Sequence, residues 1–323
     1  MKHLSALALL VGLAVLPSCL ATGDPGEVEG AAQVGTGVPP ASAVAGPRIG
    51  IVLAHGLGGS VESFAPEIVT ALRADGFYVL RDSVPPVDSV ATRAAALADQ
   101  IDSFIATNEL DEVHVIGHSM GGLDSRYLLS TLRRGAKIKS LTTLGTPHRG
   151  SPLADLGLGI TRSFTVSQQD AILALVAFLG PTVTSAQLQR ALTDLTETHA
   201  PAFNAATPDV PGVTYYSYAG LSTLFGVPNI RASSACAAPG ATTPHPSSLP
   251  GLLQLAGPIV SGGFALRPHD GVVPVDSAHW TGFLGCIPAD HLDMTRAGAK
   301  DVEDLDVELV PFFRQLVARV APR

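Results

Sequence analysis

The stretch VHVIGHSMGG, residues 113–122, sets a serine hydroxyl between glycines at the end of an apolar run. Gly117-His118-Ser119-Met120-Gly121 fits G-x-S-x-G, a pattern that holds a serine in a strained strand-to-helix turn and exposes its oxygen. Flanking glycines permit that turn because they bring no side chains to collide there. A serine hydroxyl is a weak nucleophile near neutral pH, so it needs a histidine to take its proton and a carboxylate to orient the ring. For this type of turn the chain order is serine, acid, histidine. The stretch PHDGVVPVDSAHWTGFLGCIPADHLDM, 268–294, supplies both partners. Asp270 precedes a glycine and an apolar, strand-like run, and His291 lies in the polar loop ADHLD, so these are the expected acid and base. Asp276 is the alternative acid, and His279 or His269 the alternative base. Attack on a carbonyl also requires N–H donors for the oxyanion. One is expected from Met120, directly after the serine, and another from the turn HGLGG at 55–59, where Leu57 is best placed.

These groups converge only if the elements before them end on one rim. RIGIVLAH (48–55) reads as a buried strand, the stretch from Glu62 to Ala74 as a helix stopped by Gly76, and YVLRDS (78–83) as a second strand. Val90 to Ile105 has the pattern of an Ala-rich amphipathic helix, VHVIGHS of a third strand, Gly121 to Arg134 of the next helix, and IKSLTTLGT (138–146) of a fourth strand. Strands alternating with helices predict an α/β fold, a mostly parallel sheet flanked by helices. Ligands in such sheets bind beyond the carboxyl ends of the strands. His55-Gly56-Leu57, His118-Ser119-Met120 and Thr146-Pro147-His148 all fall just past predicted strand ends. From 151 to about 206 the chain reads as helical and apolar, with DAILALVAFLGPTV (170–183) as its centre, and is expected to cover the site as a lid. VTYYSYAGL (213–221) returns to a strand pattern, 222–268 is loop-rich, and a final helix is expected from about Val302 to Val320.

At 323 residues, 46% hydrophobic and 15% charged, the chain can bury a large core in one domain, expected over 48–323. A formal net charge of -8 argues against nucleic acid as a partner, since that requires clustered Lys and Arg. The N-terminus, MKHLSALALLVGLAVLPSCLATG, has the basic start, apolar centre and small residues of a signal peptide over 1–21. LPSC at 16–19 resembles a lipoprotein box with Cys19 as the lipidated residue; cleavage near Ala21 is the alternative. Residues 22–47, rich in Gly, Ala, Pro and Val, read as a flexible linker. An exported chain meets an oxidising compartment, where Cys236 and Cys286 form the expected disulfide.

Taken in order, HGLGG, VIGHSMGG, TLGTPHRGSPLAD (143–155), YSYAG, HDGVV and DHLD resemble the secreted bacterial triacylglycerol lipases of the Pseudomonas and Burkholderia group, over most of the chain from about Ile49 to Met294. The resemblance implies an α/β-hydrolase fold with a helical lid. It implies ester hydrolysis on acylglycerols met at a lipid interface, with Ser119, Asp270 and His291 as the triad and Leu57 and Met120 as oxyanion donors. The expected location is secreted or, with Cys19 lipidated, the outer membrane or cell surface. The chain departs from the group at three places. Met120 stands where the group usually has Gln, which matters little if only the backbone N–H acts. Of the two aspartates that hold the group's structural calcium, Asp293 matches one, while no acidic residue lies between Asp209 and Asp270 to match the other. No cofactor is therefore expected, and calcium is doubtful. Finally, the group's second cysteine closely follows the catalytic aspartate, whereas Cys286 lies nearer the histidine.

Overall fold

The computed structural model describes residues 46–159, 185–249, 251–295 and 308–322. The expected signal peptide, almost all of the linker, the apolar 170–183 stretch of the lid and the start of the final helix lie outside them.

Six strands form one sheet: β1 (Ile49–Ala54), β2 (Tyr78–Arg81), β3 (Glu112–His118), β4 (Ile138–Leu144), β5 (Thr214–Gly220) and β6 (Phe283–Ile287). Their order is β2-β1-β3-β4-β5-β6, and every neighbouring pair is parallel. Strands buried on both faces must be apolar throughout, which is why β1 reads IGIVLA with no polar residue. Alternate residues serve opposite layers. Ile49, Ile51 and Leu53 join the core under α1 (Pro66–Ala74) and the C-terminal helix, whereas Val52 and Ala54 join the core under α2 (Val90–Asn108) and α3 (Met120–Ser130). Because β2 and β3 flank β1 on opposite sides, the winding reverses between β1 and β3. Beyond their carboxyl ends the two loops diverge and leave a crevice, and the HGLGG turn and Ser119 stand there.

The local signals explain most boundaries. Ser89 caps α2 by accepting a hydrogen bond from the Thr92 N–H, and Glu109 ends it in a left-handed conformation. The helix expected from Glu62 starts only at Pro66, after a short 3-10 turn at Val61–Ser63, because proline suits a first helical position and Ser60 closes the preceding turn. Two expectations need correcting between β5 and the C-terminus. The loop-rich 222–268 stretch contains a helix at Gly251–Val260, whose apolar residues sit among prolines and glycines that mask them as a periodic pattern. The run after Asp270 is not a strand: it bends and enters a short helix at Val275–Ala278, and the last strand is β6. In chain order the remaining helices are α4 (Pro152–Gly157), α5 (Ser185–Asp194), α6 (Ala200–Ala206), α7 (Ala232–Ala235), α8 (Gly251–Val260), α9 (Val275–Ala278) and α10 (Leu309–Val320).

Cys236, at the end of α7, is bonded to Cys286 in β6, with Cα atoms 5.2 Å apart and a sequence separation of 50. Asp270 lies inside the closed loop. Cross-linking a loop of this length restricts the unfolded chain by roughly 2–4 kcal/mol. Replacing both cysteines by serine is accordingly expected to lower the unfolding free energy by that amount. Urea titration of the oxidised protein and the double variant, followed by the single Trp280, would measure it. Equal midpoints would show that the bridge adds nothing.

Candidate active site

Ser119 sits between β3 and α3 with φ 53 and ψ -128, a conformation that a residue with a Cβ enters only under strain. Its own N–H donates to the Leu144 carbonyl at 2.9 Å, which ties the turn to β4. The surrounding glycines are sterically enforced. A Cβ on Gly121 would stand 2.4 Å from the Ala54 carbonyl oxygen, and one on Gly117 would stand 2.7 Å from the Cα of Gly122. Helix α3 can thus press on β1 and β3 closely enough to aim the serine outward.

The structure brings Ser119, His291 and Asp270 together across 172 residues of chain. His291 Nε2 is 2.9 Å from Ser119 Oγ, and His291 Nδ1 is 2.8 Å from Asp270 Oδ2. A carboxylate only accepts, so Nδ1 carries the hydrogen and Nε2 is left to accept from the hydroxyl. Asp270 is fixed in turn, because its Oδ1 accepts from the Val272 and Val273 N–H groups at 2.9 and 2.7 Å. The bend that replaced the expected strand therefore wraps the backbone around the carboxylate. His291 is held through its main chain as well. Its N–H donates to the Asp270 carbonyl at 2.9 Å, and its carbonyl accepts from His118 Nε2 at 2.8 Å. The His118 ring lies 4.8 Å from that of His291, and burial, followed by the His291 charge, holds its pKa well below that of a free imidazole. A neutral His118 avoids placing a second positive ring beside His291 when the latter gains a proton.

The alternative partners lie elsewhere. Asp276 is largely exposed and paired with Arg267 at 2.9 Å. His279 stacks on Phe283, and His269 Nδ1 accepts from the Gly271 N–H within its own turn.

Leu57 follows β1 in the turn facing Ser119; a Cβ on Gly56 would stand 2.6 Å from the serine Cβ. Among the described residues neither the Leu57 N–H nor the Met120 N–H has a hydrogen-bond partner. Leu57 lines the pocket beside Ser119, and Met120, the first residue of α3 after the serine, has its side chain buried in the core. Around these groups the pocket is walled by apolar side chains, among them Leu153, Leu192, Leu195, Leu253 and Val272. They come from α4, α5 and the turn after it, α8 and the 270–273 bend.

Sequence reasoning missed what holds the HGLGG turn. Arg93, buried on α2, donates from Nη2 to the His55 carbonyl at 2.7 Å and from Nη1 to the Pro85 carbonyl at 2.6 Å, while its Nε meets Asp124 Oδ2 at 2.8 Å. The sequence did carry a signal: Arg93 interrupts the apolar stripe of Val90, Leu97 and Ile101, where a cation needs a buried partner. Asp82 completes the support by accepting the His55 N–H at 2.9 Å, and its Oδ2 has no partner among the described residues. Burial pushes the Asp82 carboxyl up to about 7, and burial together with the Arg93 charge lowers His55 to about 4.

Asp82 has a consequence for stability. An aspartate in the unfolded chain titrates near 3.9, so between that pH and 7 the folded protein holds a proton that the unfolded chain has lost. Stability due to this group is complete below the unfolded pKa and declines as pH rises through the window. Asp82→Asn retains the acceptor for the His55 N–H and removes the titration. It is expected to flatten the stability–pH curve by roughly 1–3 kcal/mol between pH 4 and 7.5. Parallel curves for the two proteins would mean that the folded carboxyl titrates normally.

The calcium donors are not assembled. Asp293 is joined by Asp290, but Asp290 Oδ1 already accepts from the Leu292 and Asp293 N–H groups. Among the described residues no set of three or more His, Cys, Asp or Glu side chains could hold a metal ion. Calcium takes six to eight oxygens, which this pair does not approach. The described residues do not fit the ion.

Residues 51–164 match the model of the alpha/beta hydrolase fold. Together with the six-stranded parallel sheet, that match gives the chain the α/β-hydrolase fold. The chain is 29% identical over 229 residues to triacylglycerol lipase 2 of Saccharomyces cerevisiae, covering 69% of this chain and 59% of the yeast protein. It is 32% identical over 204 residues to a triacylglycerol lipase of Vibrio cholerae, covering 56% and 65% of the two chains. The chain thus spans between about half and two thirds of the length of the curated relatives it matches. Among solved structures, mature Bacillus licheniformis lipase BlEst2 superposes with a TM-score of 0.61 at 21% identity, over 87% of this chain and 96% of that one. At that identity the likeness is one of fold.

Proposed function

We propose that this protein is an exported serine ester hydrolase, a lipase acting on acylglycerol esters. The observation that carries the reading is the unbroken relay from Ser119 Oγ through His291 to Asp270, opening into an apolar pocket. Support also comes from relatives named triacylglycerol lipases and, for export, from the signal-like N-terminus. A secreted protein and a Cys19-lipidated surface protein both follow from such a start.

In the mechanism, Ser119 Oγ attacks the ester carbonyl carbon as its proton passes to His291 Nε2, and the carbonyl oxygen becomes an oxyanion facing the Leu57 and Met120 N–H groups. Asp270 stabilises the imidazolium that results. Collapse of the intermediate breaks the bond to the alcohol, which leaves with the proton from His291, and the acyl group remains on Ser119. Water then attacks the acyl-enzyme, giving a proton to His291. The second collapse frees the carboxylic acid and returns the proton to Ser119. Every step uses groups of the chain and water.

The reading is tested with p-nitrophenyl butyrate and palmitate, each below and above the concentration at which the ester aggregates. Turnover of both, with the palmitate rate rising steeply once aggregates form, is the expected result. Turnover of dissolved butyrate alone would make the protein an esterase for short acyl chains. No release of nitrophenol from either ester would overturn the reading.

A further inference from the structure

All the large hydrophobic residues that stand exposed among the described residues fall within one short part of the sequence: Phe225, Val227, Ile230, Leu255, Phe264 and Leu266. Single exposed apolar residues are ordinary, but a cluster of large ones marks a surface that something covers. Five of them lie on two loops that the structure ties together. Asn229 Nδ2 donates to the Leu266 carbonyl at 2.8 Å, and Arg231 Nη1 donates to the Ala265 carbonyl at 2.7 Å. The Leu224–Val227 turn packs on α8, where a Cβ on Gly257 would stand 2.6 Å from Leu224 Cδ1. Phe225 and Leu266 both have positive φ, 51 and 49, a conformation that costs a bulky residue energy, yet their side chains remain in solvent. The same α8 contributes Leu253 and Ala256 to the wall of the pocket. The apolar loops and the pocket therefore pack on the same helix.

Charge identifies the covering partner. The whole chain carries 28 acidic residues and a formal net charge of -8, but none of the acids lies between Asp209 and Asp270. Arg231 is the cation of these loops, and its guanidinium is exposed. A protein so acidic overall is repelled by a surface that bears carboxylates, except through a face free of them. An acylglycerol surface under hydrolysis gains carboxylate product, so only a face of this kind keeps its hold as the reaction proceeds.

We propose that the loops at 224–231 and 262–266, outside the 151–206 segment expected to form a lid, are a docking surface for the lipid–water interface, and that they seat the protein with its pocket next to the substrate layer. The proposal rests on the lipase reading for its choice of partner. Docking inserts Phe264 and Ile230 among the acyl chains, places Arg231 at the level of the polar heads, and leaves the acidic remainder of the protein in water.

The test uses an Ile230→Ser, Phe264→Ser double variant, with Ile230→Val, Phe264→Leu as its conservative counterpart. Both side chains are exposed, so the changes spare the core. Flotation with triolein emulsion droplets coated in phosphatidylcholine is measured in the Ser119→Ala background, and turnover of dissolved p-nitrophenyl butyrate in the active proteins. The expected result is a partition coefficient at least tenfold lower for the serine variant, near the parent value for the conservative one, and kcat/KM for the dissolved ester within twofold of the parent in both. Unchanged flotation of the serine variant would overturn the proposal. So would a dimeric parent, seen by sedimentation velocity, that the serine variant converts to monomer with no change in flotation, because the face would then join two copies. Flotation needs no catalysis, so failure of the parent to hydrolyse any ester would remove the lipase reading without deciding the docking result.

Discussion

Ser119→Ala is expected to lower kcat/KM for p-nitrophenyl esters by about 10⁴–10⁶, while KM and the unfolding free energy change little. The variant loses one oxygen. The backbone at position 119 is fixed by its own N–H on Leu144 and by the packing of Gly117 and Gly121, none of which involves the hydroxyl. Alanine enters the φ 53 conformation at much the same cost as serine, since both carry a Cβ. The loss thus falls on chemistry: without Oγ no acyl-enzyme forms, and only binding and the oxyanion donors remain to assist water. Burst kinetics and labelling by an alkyl phosphonate give a second readout. The parent should release one equivalent of nitrophenol and take up one phosphonate, and the variant neither. A variant that retained more than about one part in a hundred of parental activity would remove Ser119 from the mechanism.

Asp270→Asn should reduce kcat by about 10⁴, for a reason visible in its hydrogen bonds. The Val272 and Val273 N–H groups both point at Oδ1, so they select the carbonyl oxygen of an asparagine for that position. Its amide nitrogen must then face His291 Nδ1, 2.8 Å away, where the aspartate accepts. An NH2 donates, so Nδ1 gives up its hydrogen and Nε2 takes it. A histidine protonated at Nε2 cannot accept from the Ser119 hydroxyl. The relay is reversed with the geometry almost unchanged. KM and melting temperature should stay close to those of the parent, and kcat should carry the loss. A fall below tenfold would show that the carboxylate does not set the tautomer, and loss of folded protein would show that the charge is structural.

Several parts of this site are written in local sequence. The glycines around Ser119 are needed by a turn of a few residues, so the turn is legible where it occurs. The apolar runs of β1 and β3 and the helical spacing of α2 report burial through their own periodicity, and β1 is placed within a residue. The bend after Asp270 was not legible. Its residues, GVVPV, have the composition of a strand, and only the pull of a buried carboxylate on two backbone N–H groups explains why they curl. Strand β6 was hidden for the opposite reason: FLGCI is short, contains glycine, and is held in place by β5 and the bond from Cys236 to Cys286. Arg93 stands in the apolar stripe of α2, but its partners, the His55 and Pro85 carbonyls and Asp124, come from separate parts of the chain and only the fold assembles them.

By itself, the sequence determined the kind of chemistry, the parallel α/β layering and the order of the acid and base after the serine, because residue type, glycine placement and hydrophobic period act within a few positions of the chain. The tertiary structure alone brought Asp270 and His291, which the sequence favoured over Asp276, His279 and His269, within hydrogen-bond reach of one another and of Ser119, set His118 against the main chain of His291, and placed Arg93 beneath the HGLGG turn. Those placements depend on distances between atoms as much as 173 residues apart, which no local pattern encodes. They follow from where parallel strands end and which buried polar groups must find a partner once water is excluded.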